Sequence, residues 1–228
     1  MIKRMILPLI VAAFFLLTGC VTNQYTLRET FPKMYENPPT VIIIMPPINQ
    51  STAAEAKEYF ASSLSEAMGL TGYNPLSVES VFAVLRDEGL YDTETINDEV
   101  LKNLKKYFGA DAVLVTQIER WDKSWFLLSG TLSITAKYML YNTDTGEVMW
   151  DFTTITEVSL GSSNENLLVS IIESAVKTAT EDYFEHARRS NILTFKNYIP
   201  HGKYHPLFGA DGEATVPSSK VGNIKIAK

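Results

Sequence analysis

Residues 128–141 alternate in polarity almost without a break. Leu128, Gly130, Leu132, Ile134, Ala136, Tyr138 and Leu140 fall on one side, and Ser129, Thr131, Ser133, Thr135, Lys137, Met139 and Tyr141 on the other. A period of two predicts a strand in a sheet with one packed face and one wet face. Asn142-Thr143-Asp144-Thr145-Gly146 reads as the following turn, and Val148, Trp150 and Phe152 carry the returning strand. Upstream, Ala112 to Ile118 begins as a nearly continuous apolar run. Asp122-Lys123, set between Trp121 and Trp125, predicts a tight hairpin turn. Together these segments predict an antiparallel meander.

The first half of the chain has a different rhythm. Val41-Ile42-Ile43-Ile44-Met45, closed by Pro46-Pro47, predicts a strand buried on both faces. Thr52 and Glu55 have capping-box spacing, and Ala56, Tyr59, Phe60, Ser63, Leu64 and Ala67 then share one helical face as far as Gly69. Strand, short loop and helix in that order mark a parallel α/β unit. Gly72 to Leu76 predicts a turn and a short strand, and Ser77 caps a helix through Val78, Val81, Phe82 and Leu85 that ends at Gly89. A third helix, Asn97 to Phe108, packs through Val100, Leu101, Leu104 and Phe108, with Lys102, Lys105 and Lys106 on or near its solvated side. A long helix from Asn166 to about Arg189 carries the stripe Leu168, Ile171, Ile172, Ala175, Ala179 and Tyr183. The expected fold class is α/β: a single mixed sheet with a parallel βα portion and a C-terminal antiparallel meander, packed by about four helices.

Outside that body the pattern is of another kind. Lys3 and Arg4 precede an apolar run of 12 residues, Ile6 to Leu17, broken only by Pro8, and small residues lead up to Cys20. This is the layout of a secretory signal peptide, and the run falls short of the roughly 20 residues a membrane-spanning helix needs. Leu17-Thr18-Gly19-Cys20 resembles the lipobox of bacterial lipoproteins. That resemblance implies a diacylglycerol on the Cys20 thiol, cleavage before Cys20 and acylation of the new amino group. Val21 in place of an aspartate resembles the sorting pattern for the outer membrane, facing the periplasm. The expected divisions are a signal peptide over 1–19, a lipidated tether over 20–39, the α/β domain over 40–190, a strap over 191–208 and a flexible tail over 209–228. Proline at 32, 38 and 39 supports the tether, and the small, glycine-punctuated composition of 209–228 supports the tail.

Removing the 19 leader residues leaves 209 of 228, and the loss of Lys3 and Arg4 takes the formal charge from −6 to −8. An acidic body with no basic patch argues against nucleic acid as a partner. Cys20 is the sole cysteine, so once it is acylated no thiol is left for a disulfide or a nucleophile.

Three stretches carry a family resemblance: Val41-Ile42-Ile43-Ile44-Met45-Pro46-Pro47-Ile48-Asn49, Phe108-Gly109-Ala110-Asp111-Ala112-Val113-Leu114-Val115, and Tyr141-Asn142-Thr143-Asp144-Thr145-Gly146-Glu147-Val148-Met149-Trp150. They resemble the periplasmic α/β fold of the TolB amino-terminal domain, CsgG and LpoB. The whole chain through residue 208 is more similar still to a bacterial lipoprotein family typified by a Neisseria surface-antigen candidate, GNA1162-like. The resemblance implies place and fold rather than a reaction. Unlike CsgG, the chain has no paired amphipathic strands set apart for a membrane barrel.

No catalytic constellation emerges. His186, His201 and His205 are the only histidines and lie in no metal-ligand spacing; GxSxG, GxGxxG and GxxxxGK[ST] are absent. Asp87-Glu88, Asp98-Glu99 and Glu181-Asp182 read as solvated or helix-end charges. No cofactor or metal is predicted. The reading is an outer-membrane lipoprotein that binds an envelope protein, with the lipid bilayer engaged through acylated Cys20 and homo-oligomerisation left open. Candidate partner contacts are Trp121 and Trp125 at the predicted hairpin tip, and Tyr198, Tyr204 and Phe208 in the strap. A cell-wall or lipid hydrolase and a ring-forming secretion subunit are the competing readings. A deep polar pocket joining the Ile48 to Ser51 loop to a histidine would favour the hydrolase.

Overall fold

A computed structural model describes residues 24–76, 81, 83, 84, 86, 97–126, 129–161 and 183–227. Among them, nine strands run in the order β1 (Gln24–Thr26), β2 (Val41–Ile44), β3 (Ile48–Asn49), β4 (Asn74–Pro75), β5 (Ala112–Phe126), β6 (Ser129–Asn142), β7 (Val148–Gly161), β8 (Thr215–Pro217) and β9 (Val221–Ile226). Five helices accompany them: α1 (Leu27–Thr30), α2 (Pro32–Glu36), α3 (Ala56–Leu70), α4 (Asp98–Phe108) and α5 (Tyr183–Tyr198). The main sheet has seven strands in the order β4-β2-β5-β6-β7-β9, with β3 also paired to β5. Its β2, β3 and β4 pairings are parallel, β5-β6-β7 is an antiparallel meander, and β9 returns parallel to β7. β1 and β8 form a separate two-stranded antiparallel sheet.

The sheet buries two cores because helices cover both faces at its parallel end. Ile42 and Ile44 lie with Phe60 and Leu64 of α3 in the larger core. Ile43 and Met45 face the other way, onto Leu101 and Leu104 of α4 and Val81. Ile43→Ala should therefore cost about 2–5 kcal/mol in chemical denaturation, the range for a truncated core isoleucine. Lys105→Ala should cost no more than about 1 kcal/mol, because its pair with Asp144 is largely solvated.

The alternation read along β6 is borne out, with Leu132, Ile134, Ala136, Tyr138 and Leu140 in the core and the intervening residues only partly covered. The neighbouring strands depart from the expectation. No turn occurs at Asp122-Lys123: β5 continues to Phe126, paired opposite Ser129. A bulge between Ile118 and Arg120 inserts one extra residue, so that Trp121, rather than Arg120, falls on the core face with Ile118. A second bulge, at Leu140 and Tyr141, places Trp150 opposite Leu140 but Val148 opposite Tyr141. Val148 is thereby turned outward and Met149 is buried.

Other boundaries move as well. The Thr52 and Glu55 capping box does not form; α3 starts at Ala56, with Glu55 at the cap position and no side-chain cap bond. Asn49 holds the entry instead, accepting from the Ser51 amide and hydroxyl and donating to the Ala53 carbonyl. The 20–39 tether is mistaken from residue 24 onward. Leu27, Phe31 and Met34 are buried in the main core, and Thr26 closes a capping box with Glu29. The 209–228 tail is likewise part of the fold: β8 pairs with β1 and β9 with β7, and Asp211, Gly212, Val216, Ile224 and Ile226 are buried. The final helix runs nine residues past Arg189 to Tyr198. Leu168, Ile171, Ile172, Ala175 and Ala179 lie outside the described residues, as do residues 1–23 and most of the Ser77 to Gly89 helix.

A hydrogen-bonded polar seam runs through the main core. Asn191 of α5 accepts from the Tyr138 hydroxyl at 2.8 Å and donates to Ser63 Oγ at 2.8 Å. Thr156 and Thr154 of β7 meet Ser190 and Thr194 at 2.7 and 3.1 Å. Burial raises the Tyr138 hydroxyl pKa above its ordinary value, so it stays protonated and available as a donor. Every member has a partner, which is the condition under which buried polar groups can be accommodated.

Candidate functional site

The loop after α2, the start of β5 and the β6–β7 turn meet at the end of the sheet where the parallel strands begin. They enclose an open groove of about 420 Å³ lined by Glu36, Asn37, Pro38, Pro39, Asp111, Asn142, Asp144, Thr145 and Lys203. A smaller recess of about 110 Å³ shares several of these residues and adds Lys33, Glu147 and Met149.

The walls are fixed by bonds that consume most of their polar groups. Asp111 Oδ2 accepts the Thr40 and Val41 amides at 2.9 and 3.0 Å, which sets the entry into β2. Thr143 donates to the carbonyls of Ala110 and Asp111. Asn142 Oδ1 accepts the amides of Asp144 and Thr145, shaping the turn. Lys33 pairs with Glu147 at 3.0 Å, and Lys105 pairs with Asp144. Glu36 and Lys203 make no ion pair with any described residue. The groove thus presents one uncommitted acid, one uncommitted base and several amide edges. Thr145 is the only hydroxyl-bearing residue on the larger wall, and no histidine lines it.

Two of the histidines, His201 and His205, flank Lys203 in the strap. His201 donates its amide to Asp211 Oδ2 at 2.6 Å, and its ring Nδ1 is 2.9 Å from the same oxygen. Tyr35 of α2 donates to the other Asp211 oxygen at 3.3 Å. The His205 ring stacks on His201 at 3.7 Å. Close backbone approach makes this possible: a Cβ on Gly202 would lie 2.4 Å from the Gly72 carbonyl oxygen. The loop Ile48 to Ser51 pairs with Gln117 and Ile118, midway along β5, and neither it nor a histidine lines the groove or the smaller recess. Among the described residues no group of three metal-ligating side chains occurs.

Burial holds the His205 pKa below its ordinary value; the neighbouring His201 adds to the effect and Asp211 opposes it. The Leu207 amide donates to His205 Nδ1 at 3.1 Å, which requires that nitrogen to be unprotonated. With the folded pKa below the unfolded one, the unfolded chain binds the extra proton. This contribution to stability is therefore present above about pH 6.5 and is lost as pH falls through the lowered folded value. Thermal melts should show the wild type losing more stability between pH 7 and pH 5 than His205→Asn, which keeps an acceptor for Leu207 but does not titrate.

The sequence-derived candidates part ways here. Trp121 is a core residue, 2% exposed, against Tyr59 and Phe60. Trp125 lies in β5 opposite Gly130, not at a turn, and its side chain falls outside the described residues. Tyr198 stacks on Phe152 at 4.3 Å and belongs to the core packing. Tyr204 and Phe208 are exposed, and Leu207 joins them. His186 is buried on α5. Cys20 lies outside the described residues. Asp98-Glu99 stands at the start of α4, while Asp87-Glu88 and Glu181-Asp182 fall outside. Glu36, Asp111, Asp144 and Lys203 were missed because the groove joins four distant segments with no shared motif.

The sequence profile of the family described as "Putative lipoprotein GNA1162-like" matches residues 30–211. The chain belongs to this GNA1162-like family. Among its relatives, "Putative lipoprotein NMB1124/NMB1162" of Neisseria meningitidis serogroup B is 24% identical over 174 residues, covering 76% of this chain and 80% of that protein. The crystal structure of lipoprotein GNA1162 from Neisseria meningitidis is similar at 20% identity and a TM-score of 0.49, over 63% of this chain and 100% of that one. The LpoB C-terminal domain from Salmonella enterica gives 18% identity and a TM-score of 0.35, over 57% and 94%. Family membership covers the α/β body, the groove walls and the strap through Asp211. No helix of the described residues is long and apolar enough to cross a membrane.

Proposed function

We propose that the protein is a lipoprotein held through Cys20 in the periplasm-facing leaflet of the outer membrane, where it acts as a protein-binding accessory in envelope assembly or secretion. The observation that carries this reading is the groove. It is open and polar, its walls are pinned by the fold's own hydrogen bonds, and Glu36 and Lys203 are left as uncommitted charges. Such a surface suits an extended segment of a partner chain, whose carbonyls can accept from the Asn37 and Asn142 side-chain amides and the Thr145 hydroxyl. A hydrolase needs a nucleophile beside a base. Thr145 instead accepts the Glu147 amide, and no histidine lines the groove.

The test has two arms. Cys20→Ser should abolish lipid labelling and release the protein from the membrane fraction, whereas Val21→Asp should keep it at the inner membrane. Photo-crosslinkers at Asn37 and Thr145 in intact envelopes should capture one recurrent protein, with capture reduced severalfold by Lys203→Glu. Unchanged lipid labelling in Cys20→Ser would defeat the anchor. Crosslinks scattered over abundant envelope proteins, indifferent to Lys203→Glu, would defeat the groove.

A further inference from the structure

Among the described residues of the second half of the chain, the most exposed large apolar side chains occur together in one short loop. Tyr204 is 70% exposed, Leu207 53% and Phe208 43%, and residues 203–210 contain Lys203 but no acid. The loop is firmly built. The Gly202 amide donates to the Thr71 carbonyl at 2.9 Å, the Tyr204 amide to Gly72 at 3.1 Å, and the amides of Phe208 and Ala210 close successive turns onto His205 and Leu207. An exposed apolar tip on a rigid base marks a surface that water is not meant to cover.

Its position relative to the anchor identifies the occupant. The described chain begins at Gln24, four residues after Cys20, so those residues span at most about 14 Å when fully extended. α1 follows directly on β1, and the segment after Phe208 is bonded along it. Arg28 donates its side chain to the Gly209 carbonyl and its amide to Gly212, and the Leu27 amide donates to Ala214. Phe208 therefore lies within roughly 30 Å of Gln24 along this path. Tyr25, 49% exposed, stands beside the point where the chain leaves for Cys20.

We propose that residues 203–208 form a foot that inserts Tyr204, Leu207 and Phe208 into the lipid interface of the leaflet holding the Cys20 anchor. This rests on the lipid-anchored reading above. Aromatic and leucine side chains suit the boundary between headgroups and acyl chains, and Lys203 can reach phosphate from the same loop. Acyl chains at Cys20 supply the affinity, so the foot's part is orientation. Lys203 also lines the groove, so a seated foot holds the groove mouth at the membrane surface.

The chain's only native cysteine is Cys20, so a second cysteine can carry a nitroxide selectively once Cys20 is acylated. Tyr204→Cys, Phe208→Cys and, as a reference far along β5, Asp122→Cys would be labelled in the full lipidated protein. Each would be reconstituted into phosphatidylethanolamine and phosphatidylglycerol vesicles. Paramagnetic resonance should show the ratio of oxygen to nickel-chelate collisions raised severalfold at 204 and 208 over 122. Nickel access at 204 and 208 equal to that at 122, with mass spectrometry showing Cys20 acylated, overturns the foot alone. Shielding from both reagents means a protein, or a second copy, covers the loop and also overturns it. A chain with no acyl mass at Cys20 overturns the anchor, and the foot with it.

Discussion

Trp121→Ala should destabilise the domain by about 3–5 kcal/mol, the range for a truncated buried tryptophan. The ring is 2% exposed and lies 5.9 Å from Tyr59 and 6.2 Å from Phe60, between β5 and α3. Against a total stability of about 5–15 kcal/mol, that loss is a large fraction of what holds a domain folded. Trp121→Phe should recover most of it. The indole N–H is buried with no partner among the described residues, and an unpaired buried donor costs about 1–3 kcal/mol, which phenylalanine removes. Urea denaturation of the three proteins gives the ranking directly. If Trp121→Ala kept wild-type stability while envelope crosslinks vanished, the ring would serve a partner and the core assignment would be wrong.

The reason Trp121 reads as a hairpin tip shows what a linear pattern conveys. β6 is legible because one strand alternates without interruption between a core and a partly covered face. β5 is not, because the single extra residue after Ile118 changes which side chains face inward, and sequence alone gives no reason to insert it there. α5 fails for another reason. Its buried face includes Ser190, Asn191 and Thr194, which reach Thr156, Tyr138, Ser63 and Thr154 across the core. A helix that buries hydroxyls and an amide looks solvated to any rule based on hydrophobic period. The segment 24–36 reads as a tether because Leu27, Phe31 and Met34 are spaced among charges and prolines, while their burial depends on residues more than a hundred positions away, such as Trp150. The parallel unit was legible because Val41 to Ile44 is apolar throughout, which only a strand covered on both faces can satisfy. The groove was not, since Asp111 and Lys203 come together only once the strap is bonded to Gly72.

Ending the chain at Pro217 should have a comparably large effect, although composition assigns the removed residues to a flexible tail. β9 supplies the ladder partner for Thr153 to Val158 at the edge of the sheet. Ile224 and Ile226 are 5% and 2% exposed, and each buried isoleucine contributes about 1.5–3 kcal/mol, so the two together are worth about 3–6 kcal/mol. The Lys220 pair with Asp151 adds little, because both side chains are 37% exposed. Gly222 gives a milder probe of the same contact. A Cβ there would lie 2.5 Å from the Tyr198 ring, which is stacked on Phe152 at 4.3 Å and 15°. Gly222→Ala must push that ring aside, at about 1–3 kcal/mol for an overpacked site. The expected order in thermal and urea unfolding is full-length chain, then Gly222→Ala, then the chain ending at Pro217. Removal of β9 also bares the β7 edge, so the truncated chain should gain aggregation as it loses stability. Identical melting of the truncated and full-length proteins would mean that β9 lies on the sheet without holding it, and that the isoleucines contribute nothing to the core they border.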